Sequence, residues 1–182
     1  MFSAGIHPWH IHKLNIERAF ADLMLISNDS RFVAVGECGL DKFAKTQMDI
    51  QIDVFVKQIE FAENNDFPVI IHCVRCFDKL LKLRNQFSKT PWIVHDFSGS
   101  IELAKQLIKQ NIFLSLGNGL MKESKKIINT LELIDINYLF LETDTDKFTI
   151  DEVYQKVVFY KKINMEDLEQ MIVNNFKRVF QK

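Results

Sequence analysis

Residues 67–72, FPVIIH, form a short and continuously apolar run that ends in a histidine. A β-branched run of this length is typical of a strand that is buried on both faces of a parallel sheet. Comparable runs occur along the whole chain and predict six strands: FSAGI (2–6), FVAVGE (32–37), FPVIIH (67–72), PWIVH (91–95), IFLSLG (112–117) and YLFLETD (138–144).

Amphipathic stretches with helical periodicity separate these runs and follow the last one. In residues 47–63, Met48, Ile52, Phe55 and Ile59 recur at steps of three and four and form one apolar stripe. Similar stripes predict helices near 13–27, 100–110, 123–133, 150–161 and 165–180. Strand–helix alternation at this spacing predicts a parallel sheet with right-handed crossovers, either doubly wound or closed as a barrel. Without a repeat or linker, residues 1–182 are predicted to form a single domain.

Polar side chains at the ends of the predicted strands favour the barrel. The residues are Glu37, His72, His95, Glu142 and Asp144. Taken singly, each has a structural alternative, because a histidine can be a hydrogen-bonded core residue and an aspartate can cap a helix. In a TIM-type (β/α) barrel, however, the carboxyl ends of the strands converge and carry the active site. Recurrence of imidazoles and carboxylates there predicts a metal site for zinc, manganese, iron or, less well, magnesium.

Composition restricts the partners and the compartment. The 182 residues are 47% hydrophobic and carry a net charge of −1, so a nucleic-acid substrate would have to be held locally. Three cysteines, and no apolar run of about 20 residues, predict a cytoplasmic protein without a membrane span. The Cys73-x-x-Cys76 spacing fits a zinc or redox motif formally, but we interpret it as two ordinary cysteines at a strand-to-helix junction.

Five segments in order resemble motifs of the TatD-like metal-dependent hydrolases, a branch of the amidohydrolase-type barrels. The segments are SAGIHPW, VGECGLD, PVIIHCVR, IVHDFSGS and LFLETD, and the terminal NNFKRVF is similar to the closing helix of the family. Together they cover the whole chain. The resemblance implies a TatD-like deoxyribonuclease that hydrolyses phosphodiester bonds with a metal-activated water, typically from an end of DNA.

The resemblance also implies roles for individual residues. Glu37, His72, His95 and Asp144 would bind one or two divalent ions (Zn, Mn or Mg). Among them, Glu37 could bridge two ions, and Asp144 could hold the attacking water and take its proton, so these two are the catalytic candidates. His7 and Arg75 match residues near the substrate phosphate. Val74 displaces Arg75 by one position from the family spacing, and the alternative for Arg75 is a solvated residue at a helix start.

One family motif has no counterpart. The first strand of the family carries an H-x-H pair, whereas here the segment that ends its third strand begins at residue 5. We therefore expect a barrel shortened at its N-terminus to about six strands. Either the native protein starts earlier or the chain is a shortened variant, and we favour an earlier start. Open sheet edges could be covered in a homo-oligomer. His10 and His12 have the H-x-H spacing, but Pro8-Trp9 ends the strand before them, which predicts that they lie in a loop or first turn.

Two other functions stay open at this point. A hydrolase of small esters, amides or lactones would use the same metal chemistry on the same scaffold. A catalytically weak relative that acts by binding or assembly would account for the missing H-x-H pair.

Overall fold

The computed structural model describes residues 1–144 and 147–181, which divide into two compact units, Met1–Ile93 and Val94–Lys182. The strands are β1 (Phe2–Ala4), β2 (Phe32–Asp41), β3 (Val69–Val74), β4 (Trp92–Val94), β5 (Ile112–Leu116) and β6 (Leu139–Leu141). The helices are α1 (Ile16–Ile26), α2 (Met48–Asn64), α3 (Phe77–Arg84), α4 (Ile101–Lys109), α5 (Asn118–Met121), α6 (Lys125–Leu133), α7 (Ile150–Lys161) and α8 (Met165–Phe180). All six predicted strands are confirmed, and β4 crosses the boundary between the units.

In the first unit, β1, β2 and β3 are neighbours in that order and pair in parallel. The interior of β2 and β3 is apolar, with Val35, Leu40 and Ile71 fully buried. Helix α2 packs against β2 and buries the predicted stripe at Phe55 and Ile59. Burial of this stripe removes large apolar surfaces from water and fixes the helix across the strands.

Strand β2 is longer than predicted, which changes the position of Glu37. The strand continues through Asp41, so Glu37 lies inside it and not at its end. The register with β3 shifts between Val35 and Cys38 and then pairs Gly39 with His72. A Cβ atom at Gly39 would lie 2.1 Å from the carbonyl oxygen of His72, so this close approach requires glycine. His72 likewise lies within β3, two residues before its end.

In the second unit, β5 and β6 pair in parallel, with Leu114 opposite Leu139. Helix α4 packs against β5, and α8 packs against β6 and α7. Side-chain caps begin two helices of this unit. The Ser100 side chain accepts a hydrogen bond at the start of α4, and Asn164 accepts one from the Asp167 amide, 2.7 Å away, at the start of α8. Each satisfies an amide that has no partner inside its helix.

Helices α3 and α5 have no counterpart among the predicted helices. α3 has eight residues and α5 has four, and each is shorter than the window of about 11 residues over which helical periodicity is identified. In α3, the buried apolar residues are Leu80 and Leu83, and charged residues surround them in sequence. Among the helices in the described part of the chain, none combines the length and apolar character needed to cross a bilayer.

Candidate metal centre

Three potential ligands converge in the first unit. The side chains of His7, Glu37 and His72 each offer an atom that lies within 4.8 Å of the others. His7 follows β1, whereas Glu37 and His72 lie within β2 and β3. Because these strands are adjacent and parallel, residues that are distant in sequence lie side by side across neighbouring strands.

The three residues fit a divalent cation in chemistry and in spacing. Imidazole and carboxylate are ligands of zinc and of related transition metals. Two ligand atoms at roughly 2.0–2.2 Å from a zinc ion can be at most about 4.4 Å apart, so only a small inward movement would be needed. His7 Nε2 and Glu37 Oε2 are 3.9 Å apart, which is within that limit, although His7 would have to present an unprotonated Nε2 to bind an ion. The Glu37 side chain is 40% exposed and can reach an ion or a substrate.

Asp41 is a functional candidate that the sequence analysis did not assign. It is the last residue of the VGECGLD segment and of β2, and it is only 2% exposed. Its Oδ2 lies 2.9 Å from His72 Nε2 and accepts a hydrogen bond from Trp9 Nε1 at 2.6 Å, while Oδ1 accepts from the Phe43 amide at 2.7 Å. The motif position was the available signal, but these partners come from other segments.

The environment of Asp41 sets the tautomer of His72. Burial by itself would raise the pKa of Asp41, but the hydrogen bonds from His72, the Phe43 amide and Trp9 outweigh burial, so the pKa lies below its ordinary value. An ionised carboxylate only accepts hydrogen bonds, so His72 carries its proton on Nε2 and its lone pair on Nδ1. A carboxylate behind a metal-ligating histidine orients the ring and raises its basicity.

His7 is held differently. Its Nδ1 accepts a hydrogen bond from the Trp9 amide at 3.2 Å, and its ring centroid lies 4.4 Å from that of His72. In a neutral imidazole that accepts at Nδ1, the proton is on Nε2. The Nε2 atom on the Glu37 side is therefore a hydrogen-bond donor in this arrangement, which suits contact with an anionic substrate.

Two buried glutamines of α2 fix the backbone around the cluster. Gln58 accepts from the Ile6 amide at 2.6 Å and donates to the Ile6 carbonyl at 3.2 Å. Gln51 accepts from the Asp41 amide at 2.8 Å and donates to the Asp41 carbonyl at 3.0 Å. Ile6 directly precedes His7, so both glutamines hold segments that carry site residues. The sequence pattern does not predict this role, because polar residues do not belong to the apolar stripe.

A second polar group lies in the other unit. His95 directly follows β4, and its Nδ1 is 3.6 Å from Oε1 of Glu142, which directly follows β6. The same Glu142 oxygen accepts a hydrogen bond from the Asp96 amide at 2.7 Å. Asp144 lies in an exposed turn with φ of 49°. The metal-ligand roles of His95 and Asp144 stay predictions.

Arg75 lies in the segment that links β3 to α3. This position also agrees with the alternative interpretation of Arg75 as a solvated residue at a helix start. It is exposed and has φ of 54°. Its guanidinium carbon lies 5.5 Å from the centre of the Phe43 ring. The contact joins a cation to an exposed aromatic ring, and the predicted contact of Arg75 with a phosphate stays a prediction.

The remaining histidines and the cysteines lie where the sequence predicts. His10 precedes the short 3-10 helix Ile11–Lys13, and His12 lies within it, so the pair is in a turn and not on a strand. Cys73 lies near the carboxyl end of β3 and Cys76 directly precedes α3. Both are free thiols. Burial raises the pKa of Cys73 far above its ordinary value, which disfavours a reactive thiolate.

Comparisons with known proteins agree with this picture. A family model described as TatD related DNase matches residues 1–181. The chain is 28% identical over 193 residues to YabD of Bacillus subtilis, named an uncharacterized metal-dependent hydrolase, and the match covers 97% of this chain and 75% of that protein. It is 29% identical over 152 residues to the 3'-5' ssDNA/RNA exonuclease TatD of Erwinia billingiae, covering 78% of this chain and 56% of that protein.

A solved structure shows the fold. The crystal structure of YJJV, a TatD homolog from Escherichia coli K12, matches with a TM-score of 0.87 at 24% sequence identity. The match covers 99% of this chain and 76% of that one. This likeness confirms the predicted α/β fold of the TIM type, with six parallel strands.

Proposed function

Because this chain belongs to the family of TatD-related DNases, we propose that it is a metal-dependent hydrolase that cleaves phosphodiester bonds in DNA. The observation that carries this proposal is the cluster of His7, Glu37 and His72, with the buried carboxylate of Asp41 hydrogen-bonded to His72. The chain spans 75% of YabD and 56% of the Erwinia exonuclease, so their named activities support the proposal by similarity only.

In the first unit, each residue of the cluster has a distinct proposed role. A divalent ion bound here would lower the pKa of a water and polarise a phosphoryl oxygen. His72 and Glu37 would hold the ion, with His72 oriented by Asp41 through the 2.9 Å contact. The Nε2–H group of His7 would donate a hydrogen bond to a non-bridging phosphate oxygen, and Arg75 would add a charge-assisted contact to the phosphate.

The roles of the second unit follow the same family pattern. We propose that His95 of the second unit is a metal ligand; its Nδ1 lies 3.6 Å from Glu142 Oε1, which is an ion-pair distance and not a hydrogen bond. Asp144, whose carboxylate is exposed, would accept the proton of the attacking water. Glu142, which has no predicted role, would fix the segment that follows His95 through the hydrogen bond that it accepts from the Asp96 amide.

Activity and metal content together test the proposal. The purified chain is incubated with end-labelled single-stranded DNA and Mn²⁺, Mg²⁺ or Zn²⁺, and metal content is measured by elemental analysis. We expect hydrolysis that Glu37→Gln, His95→Ala and Asp144→Asn each abolish. Asp53→Asn is the matched control, because it removes one exposed carboxylate from α2 without touching the cluster.

Other outcomes identify the alternatives. Full activity in the three variants would contradict the proposal. Hydrolysis of nitrophenyl esters but of no phosphodiester would favour a small-molecule hydrolase. A chain that holds no metal after reconstitution would favour a relative that acts by binding. The predictions of a cytoplasmic location and of a homo-oligomer that covers open sheet edges stay predictions beside this proposal.

A further inference from the structure

An open groove of about 300 Å³ lies beside the candidate metal centre in the first unit. Two segments form it, one around the 3-10 helix after β1 and one directly after β2. Its lining residues are Trp9, His10, His12, Lys13, Phe43, Ala44 and Lys45. The volume is at the lower end of sites that take small ligands, roughly 300–1,000 Å³. The groove therefore has room for a group of the size of one nucleotide.

Two aromatic rings of this groove are exposed to solvent. Phe43 is 68% exposed and Trp9 is 54% exposed. Neither ring is needed to fill the hydrophobic core, and both are available for stacking. Exposed aromatic rings within a positively charged groove are the features by which proteins hold single-stranded nucleic acid, because every base offers a flat π-face.

The charge of the groove is complementary to phosphate. Lys13 and Lys45 are exposed and line the groove, and the guanidinium of Arg75 lies over the Phe43 ring. None of the seven lining residues carries a carboxylate. The nearby carboxylate of Asp41 is buried and accepts hydrogen bonds from Trp9 and the Phe43 amide. In a chain with a net charge of −1, this is a local concentration of positive charge.

Trp9 joins the groove to the metal centre. The centroid of its ring lies 5.2 Å from that of His7 and 5.6 Å from that of His72, both in edge-on arrangements. Its indole nitrogen donates to Asp41, which also contacts His72. One wall of the groove is thus a side chain that packs against the candidate cluster, so a nucleotide in the groove would be adjacent to the phosphodiester at that cluster.

We propose that this groove binds a nucleotide of a single-stranded nucleic acid next to the bond that is cleaved. A base stacks on Phe43 and Trp9, and the flanking phosphates contact Lys13, Lys45 and Arg75. The placement next to the cleaved bond rests on the proposed phosphodiesterase function, whereas binding itself does not. His10 and His12, which lie in a turn and not on a strand, contribute polar imidazole rings to the same groove.

Stacking is tested by binding of a fluorescein-labelled phosphorothioate thymidine decamer, which resists hydrolysis, measured by fluorescence anisotropy at low salt. Phe43→Ala is expected to weaken binding by roughly 5- to 150-fold, the usual effect of losing one stacked base. Phe43→Trp is expected to retain binding. The control is Phe159→Ala, which removes a 73% exposed aromatic ring that does not line this groove.

An abasic decamer with the same backbone separates stacking from phosphate contact. Phe43→Ala and the wild-type protein are expected to bind it equally. The proposal is overturned if Phe43→Ala binds the thymidine decamer within twofold of the wild-type protein, if it loses affinity equally for both decamers, or if the wild-type protein does not bind.

The phosphate contacts are tested by the salt dependence of binding. For single strands, each phosphate contact that is lost reduces the magnitude of the negative slope of log K against log salt by about 0.7. The double variant Lys13→Gln/Lys45→Gln is therefore expected to reduce this magnitude by about 1.4. Lys57→Gln is the control, because Lys57 is exposed on α2 and does not line the groove. An unchanged slope in the double variant would remove the phosphate part of the proposal.

Hydrolysis of bis(4-nitrophenyl) phosphate, which has no base to stack, distinguishes failure of the groove from failure of the function. Turnover of this diester with Mn²⁺, together with unchanged decamer binding in Phe43→Ala, would refute the groove and leave the function standing. No turnover with any metal, together with weakened decamer binding in Phe43→Ala, would refute the function and support the groove.

Discussion

Asp41→Asn is expected to weaken metal binding although Asp41 is not itself a proposed ligand. The substitution keeps the shape of the side chain but replaces one acceptor oxygen by a donor. In the structure, Oδ2 faces the donors of Trp9 and His72, and Oδ1 faces the Phe43 amide. In either orientation of the asparagine amide, its NH₂ group therefore faces at least one N–H donor, and two donors cannot form a hydrogen bond with each other.

The magnitude follows from these contacts. The less costly orientation keeps the oxygen toward Trp9 and His72 and gives up the hydrogen bond from the Phe43 amide. Leaving a buried donor unsatisfied costs about 1–3 kcal/mol of folding free energy. The neutral amide is also a weaker hydrogen-bond acceptor for His72 than the carboxylate, and loss of such a carboxylate partner typically costs about 10- to 100-fold in metal affinity.

Calorimetric titration of the metal-free protein with Zn²⁺ or Mn²⁺ measures the affinity, and urea denaturation measures the free energy of unfolding. DNA hydrolysis by Asp41→Asn should recover when the metal concentration is raised, because the ligands themselves are intact. Asp53→Asn controls for the lost charge. A dissociation constant for Asp41→Asn within twofold of the wild type would refute the role given to Asp41.

Three further predictions concern stability. Gln58→Leu leaves the amide and carbonyl of buried Ile6 without their side-chain partner, so urea denaturation should show a loss of about 1–3 kcal/mol for each group, and the KM for DNA should rise because Ile6 precedes the proposed phosphate contact His7. Asn164→Ala removes the cap of α8 and should cost about 1 kcal/mol, or a fall of roughly 2–4 °C in the melting temperature. The difference in free energy of unfolding between wild type and Asp41→Asn should have its full size above pH about 4. It should disappear as pH falls through the lowered pKa of Asp41, because protonation then removes the charge in the folded protein. An unchanged difference at pH 2 would contradict this assignment.

The sequence predicts the strands well because their apolar character is local. Buried parallel strands are almost continuously apolar, and this property can be identified without knowledge of the partners. The end of β2 is different. Its last four residues are strand because they pair with β3, with Gly39 opposite His72 and Asp41 opposite Val74. Pairing between segments about 30 residues apart is not a local property, so the strand predicted from the sequence ends at Glu37.

The site is predicted in part for the same reason. The sequence predicts different roles for His7, Glu37 and His72, and the structure brings them together in one cluster. The sequence predicts no role for Asp41, because its function depends on hydrogen bonds with His72 and Trp9, which are distant in sequence. The turn position of His10 and His12 was predicted correctly, because Pro8 limits the strand by a local steric effect.

Helix α2 shows how packing and function are combined in one element. Gln51 and Gln58 are seven residues apart, which is close to two turns, so they lie on the same face about 10.5 Å apart along the axis. One holds the backbone of Asp41, and the other holds the backbone of Ile6, which precedes His7. Because the apolar stripe fixes α2 across the strands, the same packing that stabilises the first unit also sets the spacing between the segment that orients His72 and the segment that carries His7. A change in the core beneath α2 should therefore alter metal binding even where it leaves every proposed ligand in place.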